Sequence, residues 1–187
     1  MVGVIILIKK KKVLILAVVL MVVMLVVVVS GNEVAPNVFS PSRLAGYTGL
    51  QGTPAYIAVS GKVYDVTESP FFQDGLHFGY QAGQELTKET EASPHGLAIM
   101  SRLVPIGVYV ELELTKEELA VFDGRSGQPG YIAVNGLIYD VSHSARWRNG
   151  LHNSYRAGQD LTVAIERSPH GTATLSRMPL VGVLVQE

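Results

Sequence analysis

Four of the five histidines form two pairs that are related by an offset of 75 residues. His77 corresponds to His152, and His95 corresponds to His170. Within each pair the histidines are 18 residues apart, and each lies near a glycine that is typical of a turn. Neutral imidazole is a common metal ligand. The residues that follow the first histidine of each pair have diverged while the histidines persist, which indicates that all four side chains are metal ligands.

The rest of the sequence restricts the kind of metal. A bare zinc ion needs three or four protein ligands, and the chain has no cysteine, which excludes thiolate sites and covalent haem attachment. Asp65 and Asp140 recur but lie within strand patterns, and His143 has Glu68 as its counterpart. Two histidines on separate loops suit a metal whose other ligands come from a macrocycle, and haem iron has two axial positions to fill.

The histidines belong to a repeated unit that must position them. The two copies align without a gap from Pro54/Pro129 to Val110/Val185, and roughly half of the positions are identical. Each copy is predicted to be α+β, with a small sheet and short helices crowded at one end. A unit of this size buries a small core, so a cofactor bound only by the native state would stabilise it.

Local patterns place the elements of each copy. A helix start is predicted at Ser40 with Pro41 in the first copy, and at Thr115 with Glu118, a capping box, in the second. Hairpins are predicted at 56–66 and at 131–141, the second around an Asn-Gly turn. Helical segments are predicted near 86–91 and 98–103, and final strands at 107–110 and 182–185.

Apolar residues around the histidine loops could line a pocket. In the first copy they are Phe71, Phe72, Leu76, Leu86, Leu97, Ile99, Met100 and Leu103.

A membrane segment is predicted at Val13–Val29, which is an uninterrupted run of 17 apolar residues. Lys9–Lys12 precede it, so residues 1–12 are expected in the cytoplasm and the C-terminal part outside, with the anchor in the cell membrane. Cleavage as a signal peptide near residues 28–31, followed by secretion, is the alternative. Residues 30–38 are then a tether, followed by domains at 39–112 and 113–187.

The two copies resemble the cytochrome b5-like haem/steroid-binding domain family in its short bacterial form. The resemblance is carried by an opening L-T-K-E-E-L helix, by Y-I-A-V-N-G-L-I-Y-D-V-S, by A-G-Q-D-L-T and by S-P-H-G. It implies two tandem domains and two non-covalent b-type haems, with His77 and His95 as axial ligands of one and His152 and His170 of the other. In the family the first histidine lies in an H-P-G-G turn, whereas here F-G and N-S follow it.

A related branch of the family binds haem through tyrosine and leaves one axial position open. Tyr80 and Tyr155 follow the first histidines by three residues and are the rival ligands. The other interpretation is that they pack and hydrogen-bond at the edge of the pocket.

The expected function is one-electron transfer by a membrane-anchored, extracytoplasmic dihaem cytochrome with an unidentified redox partner protein. The alternatives are a module for haem or steroid-like ligand binding, storage or sensing, and a structural module that has lost haem. No general base, nucleophile or nucleotide-binding loop suggests an enzyme. The net charge of −1 combines −4 over residues 32–112 with −1 over residues 113–187 and +4 at Lys9–Lys12, which gives no basic face for nucleic acid.

Overall fold

The computed structural model of the chain describes residues 37–186. The predicted membrane anchor at Val13–Val29, the basic N-terminus and most of the tether lie outside the described residues. Among residues 37–186, no helix has the length and apolar character to cross a membrane.

The first half, residues 37–111, begins and ends with a strand, and these two strands pair in one sheet. In chain order the elements are β1 (Val38–Phe39), α1 (Pro41–Leu44), β2 (Tyr56–Val59), β3 (Lys62–Asp65), β4 (Leu76–His77), β5 (Tyr80–Gln81), α2 (Thr87–Ala92), a 3₁₀ helix (Leu97–Arg102) and β6 (Pro105–Tyr109).

The second half, residues 112–186, repeats this order with one added strand. Its elements are β7 (Leu112–Leu114), α3 (Lys116–Leu119), β8 (Tyr131–Val134), β9 (Leu137–Asp140), β10 (Leu151–His152), β11 (Tyr155–Arg156), β12 (Gln159–Asp160), α4 (Thr162–Glu166), a 3₁₀ helix (Gly171–Arg177) and β13 (Leu180–Leu184).

The two sheets share four strands in the same arrangement, and the second sheet has β12 as an added edge strand. The first has the order β1-β6-β3-β2, and the second has the order β12-β8-β9-β13-β7. In each sheet a central antiparallel hairpin is flanked by the last strand of its half, which pairs in parallel with the first strand of that half. The histidine-bearing strands form two separate two-stranded hairpins, β4–β5 and β10–β11.

The two central hairpins confirm the predicted strand pairs. Both residues of the Asn135-Gly136 turn have positive φ, at 50° and 75°, and Ser60-Gly61 has 51° and 73°. These backbone angles match the right-handed twist of the strands, and they explain why Asn and Gly are favoured there. The helical segment predicted near 98–103 is a 3₁₀ helix in the structure.

Alternating residues of the first sheet enter two buried clusters. Ala58 and Val63 pack with Phe39 and Leu44 on one face. The other face carries the cluster from which the histidine loops are supported, formed by Ala55, Ile57, Val59, Tyr64, Val66, Ala82 and Leu86. The second sheet has an equivalent cluster formed by Ile132, Val134, Val141, Ala157, Leu161 and Leu175. Each half therefore has its own buried cluster on which the histidine loops can pack.

The two helix starts differ. The predicted capping box of Thr115 and Glu118 is confirmed, with both reciprocal hydrogen bonds present. The predicted cap at Ser40 is wrong in its detail, because the Ser40 side chain makes no capping hydrogen bond to α1. Instead the Glu113 carboxylate accepts hydrogen bonds from the backbone N–H and the hydroxyl of Ser42. A residue of the second half thus satisfies the helix start of the first.

Buried apolar contacts also join the two halves. Val38 and Val110 of the first half share a cluster with Leu137 and Val183 of the second. All four side chains are less than a tenth exposed. Together with the Glu113 hydrogen bonds, this cluster fixes one half against the other.

Candidate functional site

His77 and Tyr80 are direct partners across the β4–β5 hairpin. His152 and Tyr155 are equivalent partners across β10–β11. Directly opposed residues of an antiparallel pair project from the same face, so each first histidine has a tyrosine beside it. Between His77 and Tyr80, both turn residues have positive φ. The residues that replace the family's Pro-Gly therefore form a tight two-residue turn.

A glycine two residues before each first histidine permits a very close backbone contact. Gly75 has φ of 71°, and a Cβ built on it would lie 1.8 Å from the carbonyl oxygen of Thr48. At Gly150, with φ of 70°, the corresponding distance to the Asp123 carbonyl oxygen is 1.7 Å. No side chain fits at either position, so both hairpins are anchored to the loop that follows the first helix.

The first histidines have matching backbone hydrogen-bond partners. The Nδ1 atom of His77 lies 2.8 Å from the carbonyl oxygen of Phe71, and that of His152 lies 2.9 Å from the carbonyl oxygen of Arg146. A carbonyl oxygen only accepts, so Nδ1 carries the proton. In a neutral ring this leaves the Nε2 lone pair for a metal, which is the arrangement found in metal-ligating histidines.

An aromatic ring supports each of these imidazoles. Phe72 stacks on His77 with ring centroids 4.9 Å apart, and Trp147 lies 5.3 Å from His152. Phe72 and Trp147 both pack against the buried cluster of their half. The buried cluster of each half therefore holds an aromatic ring, and that ring limits the orientation of the imidazole.

His95 and His170 lie in S-P-H-G turns between the helix and the 3₁₀ helix of each half. Both are exposed. Met100, on the 3₁₀ helix that follows His95, packs against the same cluster as Phe72. The two histidine loops of the first half are thus attached to one face of one sheet. The structure gives a hydrogen-bond partner to the first histidine of each pair, and the second histidines extend into solvent.

Apolar side chains are exposed around the first histidine pair. Phe71 is 71% exposed and Phe78 is 86% exposed, and Leu76, Leu97 and Leu103 are also exposed. Of the residues predicted to line the pocket, Leu86 is buried in the core, while Phe72 and Met100 are partly buried against it. Clustered apolar exposure of this kind marks binding surfaces.

The donor set fits a haem better than a bare ion. Within residues 37–186, no three His, Asp, Glu or Cys side chains are grouped so that they could hold a metal ion. Each half offers one oriented imidazole and a second histidine on a loop attached to the same sheet face. The first half adds exposed apolar side chains near its histidines. His77 with His95, and His152 with His170, are the residues that could hold the iron of such a group.

The tyrosines differ in their surroundings. Tyr80 and Tyr155 are 47% and 44% exposed, so both side chains lie at the surface beside the first histidines. Tyr64 is buried in the core, and burial raises the pKa of Tyr139. Tyr139 is partly buried against the core cluster of the second half.

Sequence reasoning did not find the acceptors of the first histidines. Both are backbone carbonyls six residues upstream, and they belong to a phenylalanine in one half and an arginine in the other. Residue type therefore carries no signal. The constant spacing between the Asp-Gly or Asn-Gly turn and the histidine is the only trace in the sequence.

Known proteins resemble this chain over parts of its length. The family described as "Cytochrome b5-like Heme/Steroid binding domain" matches residues 115–185. Membrane steroid-binding protein 2 of Arabidopsis thaliana is 30% identical over 130 residues, which cover 66% of this chain and 49% of that protein. The chain therefore spans about half the length of this curated relative.

Two solved structures from archaea are similar in sequence. A Hadesarchaea cytochrome b5 domain protein is 47% identical and covers 40% of this chain and 99% of its own, with a TM-score of 0.39. A cytochrome b5 domain protein of Methanococcoides burtonii is 40% identical and covers 40% of this chain and 97% of its own, also with a TM-score of 0.39.

The family match defines the class of one segment. Residues 115–185 form a domain of the cytochrome b5-like haem/steroid-binding family. Haem is a ligand of this family, so the histidine hairpin of the second half lies in a domain of a haem-binding class.

Proposed function

We propose that the chain is a membrane-anchored b-type cytochrome with two haems, one in each half, that transfers single electrons outside the cytoplasm. The first half is then a second cytochrome b5-like domain. The proposal rests on the duplicated ligand geometry, in which Nδ1 of His77 and of His152 each bond to a backbone carbonyl at 2.8 and 2.9 Å. The apolar run at Val13–Val29 supports the anchor.

In this proposal the protein's residues have simple tasks. Phe71 and Arg146 hold the first imidazoles through their carbonyl oxygens, and Phe72 and Trp147 limit rotation of the rings. His95 and His170 would hold the same group from loops on the same face of each sheet. A haem held by two histidines would supply one-electron chemistry and would leave no site for an added ligand.

Carbon monoxide tests the proposal, because it binds reduced haem iron only where an axial position is open. The full-length chain in detergent micelles is loaded with haem, reduced, and exposed to the gas. We expect spectra unchanged by carbon monoxide and reversible cycles of reduction and oxidation. A carbon monoxide adduct in both halves would contradict bis-histidine ligation.

A haem or steroid-like ligand-binding module is the second candidate. It is favoured by the position of Tyr80 directly opposite His77, and of Tyr155 opposite His152. The curated relative is named as a steroid-binding protein. Comparing the ferric spectra of Tyr80→Phe and His77→Ala distinguishes the two functions. If Tyr80→Phe changes the ferric spectrum and His77→Ala does not, tyrosine is the ligand and the second candidate replaces the first.

A further inference from the structure

The second half contains a basic cleft that the histidine chemistry does not use. The cleft has a volume of about 530 Å³ and is lined by Arg125, Ser126, Gly127, Arg148, Asn149 and Leu151. Its size falls within the range of small-molecule sites. Arg125 and Arg148 are exposed, so their guanidinium groups can reach a molecule in the cleft.

A third arginine, Arg156, lies opposite Leu151, which lines the cleft. Arg148 pairs with Leu151 through an isolated bridge, and Leu151 pairs with Arg156 across β10–β11. Directly opposed residues project from one face, so Leu151 lies between two arginines. Within residues 37–186, none of the guanidinium groups of Arg125, Arg148 and Arg156 forms an ion pair.

The first half lacks this charge at the corresponding positions. Leu50, Gln73 and Gln81 stand where the second half has Arg125, Arg148 and Arg156. The Gln81 amide donates to the carbonyl oxygens of Thr48 and Asp74 and thus crosses the equivalent space.

The charge difference is large for so small a region. In the second half, three arginines and Asp123 sum to +2. The equivalent residues of the first half, with Asp74 in place of Asn149, sum to −1. Asp123 is counted because it precedes Gly124 and Arg125, which line the cleft. Its carboxylate accepts a hydrogen bond from the backbone N–H of Arg125.

The cleft lies away from the metal-ligand face of the hairpin. Leu151, which lines the cleft, and His152 are successive residues of β10. Successive side chains of a strand project to opposite faces. The two arginines that flank Leu151 are thus on the opposite face from the His152 imidazole, which argues against the carboxylates of a haem at His152 as the occupant.

We propose that this cleft binds a small free oxyanion of phosphate or carboxylate chemistry. Arg125 and Arg148 hold it, and Arg156 closes the rim. Guanidinium groups match such oxyanions because their N–H donors form paired, charge-assisted hydrogen bonds. The site belongs to the second half alone, so the two halves differ in function as well as in sequence.

Calorimetric titration of the full-length, haem-free chain with inorganic phosphate at low ionic strength tests the proposal. Arg125→Leu, Arg148→Gln and Arg156→Gln are combined, which installs the residues of the first half. The control combines Arg102→Gln, Arg167→Gln and Arg177→Gln, which removes the same charge at exposed positions outside the cleft. We expect one phosphate site in the wild type, at least tenfold weaker binding in the cleft variant, and less than a twofold change in the control.

Other outcomes overturn the proposal. No binding to the wild type of either inorganic phosphate or, in a second titration, citrate would exclude a specific site, and so would equal weakening in both variants. The single change Arg148→Gln, at an exposed position, should weaken binding at least threefold, and thermal unfolding checks that each variant folds.

Two further arms separate the source of the oxyanion. His152→Ala should retain phosphate binding, so failure of the haem proposal does not affect this test. The cleft variant should bind haem and haem dimethyl ester with unchanged affinity. Weakened binding of haem but not of its ester would identify the haem carboxylates as the ligand and contradict a separate site.

Discussion

The Nδ1 atom of His77 lies 2.8 Å from the carbonyl oxygen of Phe71, and the same bond recurs between His152 and Arg146 at 2.9 Å. Because the acceptor is backbone, a phenylalanine and an arginine perform the same task. The imidazole geometry therefore survives divergence of the side chains around it. What it requires is the loop conformation, and this conformation can be tested directly.

Gly75→Ala should destabilise the protein far more than Gly61→Ala. Both glycines have similar positive φ, 71° and 73°, so both changes introduce comparable backbone strain. Only at Gly75 does the new Cβ meet the Thr48 carbonyl oxygen, whereas Gly61 has open space. We expect a loss of about 1 to 2 kcal/mol for Gly61→Ala and more than about 4 kcal/mol for Gly75→Ala, measured by denaturant unfolding. Equal losses would show that the close contact at Gly75 does not exist.

Phe72→Ala should weaken the first half more than Phe78→Ala. Phe72 is partly buried against the sheet and stacks on His77, while Phe78 is 86% exposed. We expect a loss of about 2 kcal/mol in the free energy of unfolding for Phe72→Ala and less than about 0.5 kcal/mol for Phe78→Ala. The two variants remove the same group, so a larger effect of Phe78→Ala on stability would be incompatible with the described packing.

Thr115→Ala should reduce stability because it removes a helix cap. Ser40→Ala removes no helix cap. The Thr115 hydroxyl accepts from the Glu118 backbone N–H, and the Ser40 side chain makes no such bond. The cost of Thr115→Ala is expected to be about 1 kcal/mol in thermal unfolding. Glu118→Gln, which keeps an acceptor in the box, provides the milder comparison.

The hydrogen bonds of Glu113 should make the stability of the contact between the halves depend on pH. Burial raises the pKa of Glu113, but hydrogen bonds from Ser40 and Ser42 outweigh it and hold the pKa below its ordinary value of 4.5. The carboxylate therefore stabilises the folded state above pH 4.5, and this contribution is lost as the pH falls through the lowered pKa. Glu113→Gln should cost about 1 kcal/mol at pH 7, and this cost should shrink as the pH falls below 4.5 through the lowered pKa.

Glu111→Gln is the matched control, because Glu111 is exposed and adjacent in the same connection. Its effect on stability at pH 7 should be small, because its side chain is exposed. If the two variants show the same pH profile, Glu113 does not join the halves electrostatically.

The sequence predicted those elements whose cause is local. The Asn135-Gly136 turn and the Thr115–Glu118 capping box depend on residues only a few positions apart, and both are confirmed. The cap of α1 was beyond such reasoning, because its acceptor, Glu113, lies 71 residues away from Ser42. The basic cleft escaped notice for a similar reason. Arg125 and Arg148 meet only once the hairpin folds against the preceding loop.

Only the site residues that recur in both copies of the repeat could be predicted from the sequence. The offset of 75 residues selected His77, His95, His152 and His170, and the structure supplies a hydrogen-bonded orientation for the first of each pair. The pairing of Tyr80 with His77 depends on a two-residue turn formed by Phe78 and Gly79. Gly79 is favoured at its turn position, but a phenylalanine with positive φ at Phe78 is not predicted by the turn rules. Assignment of the four histidines as haem ligands stays a prediction.

The most direct test of the central claim is the haem stoichiometry and spin state of the full-length chain. Haem titration is followed by visible and electron paramagnetic resonance spectra for the wild type, His95→Ala, His170→Ala and the control His143→Ala. We expect two low-spin haems in the wild type and in His143→Ala. Each of the other two variants should retain one low-spin haem, with the second lost or converted to high spin. One haem or none in the wild type, or a high-spin ferric spectrum unaffected by either histidine change, would contradict the account.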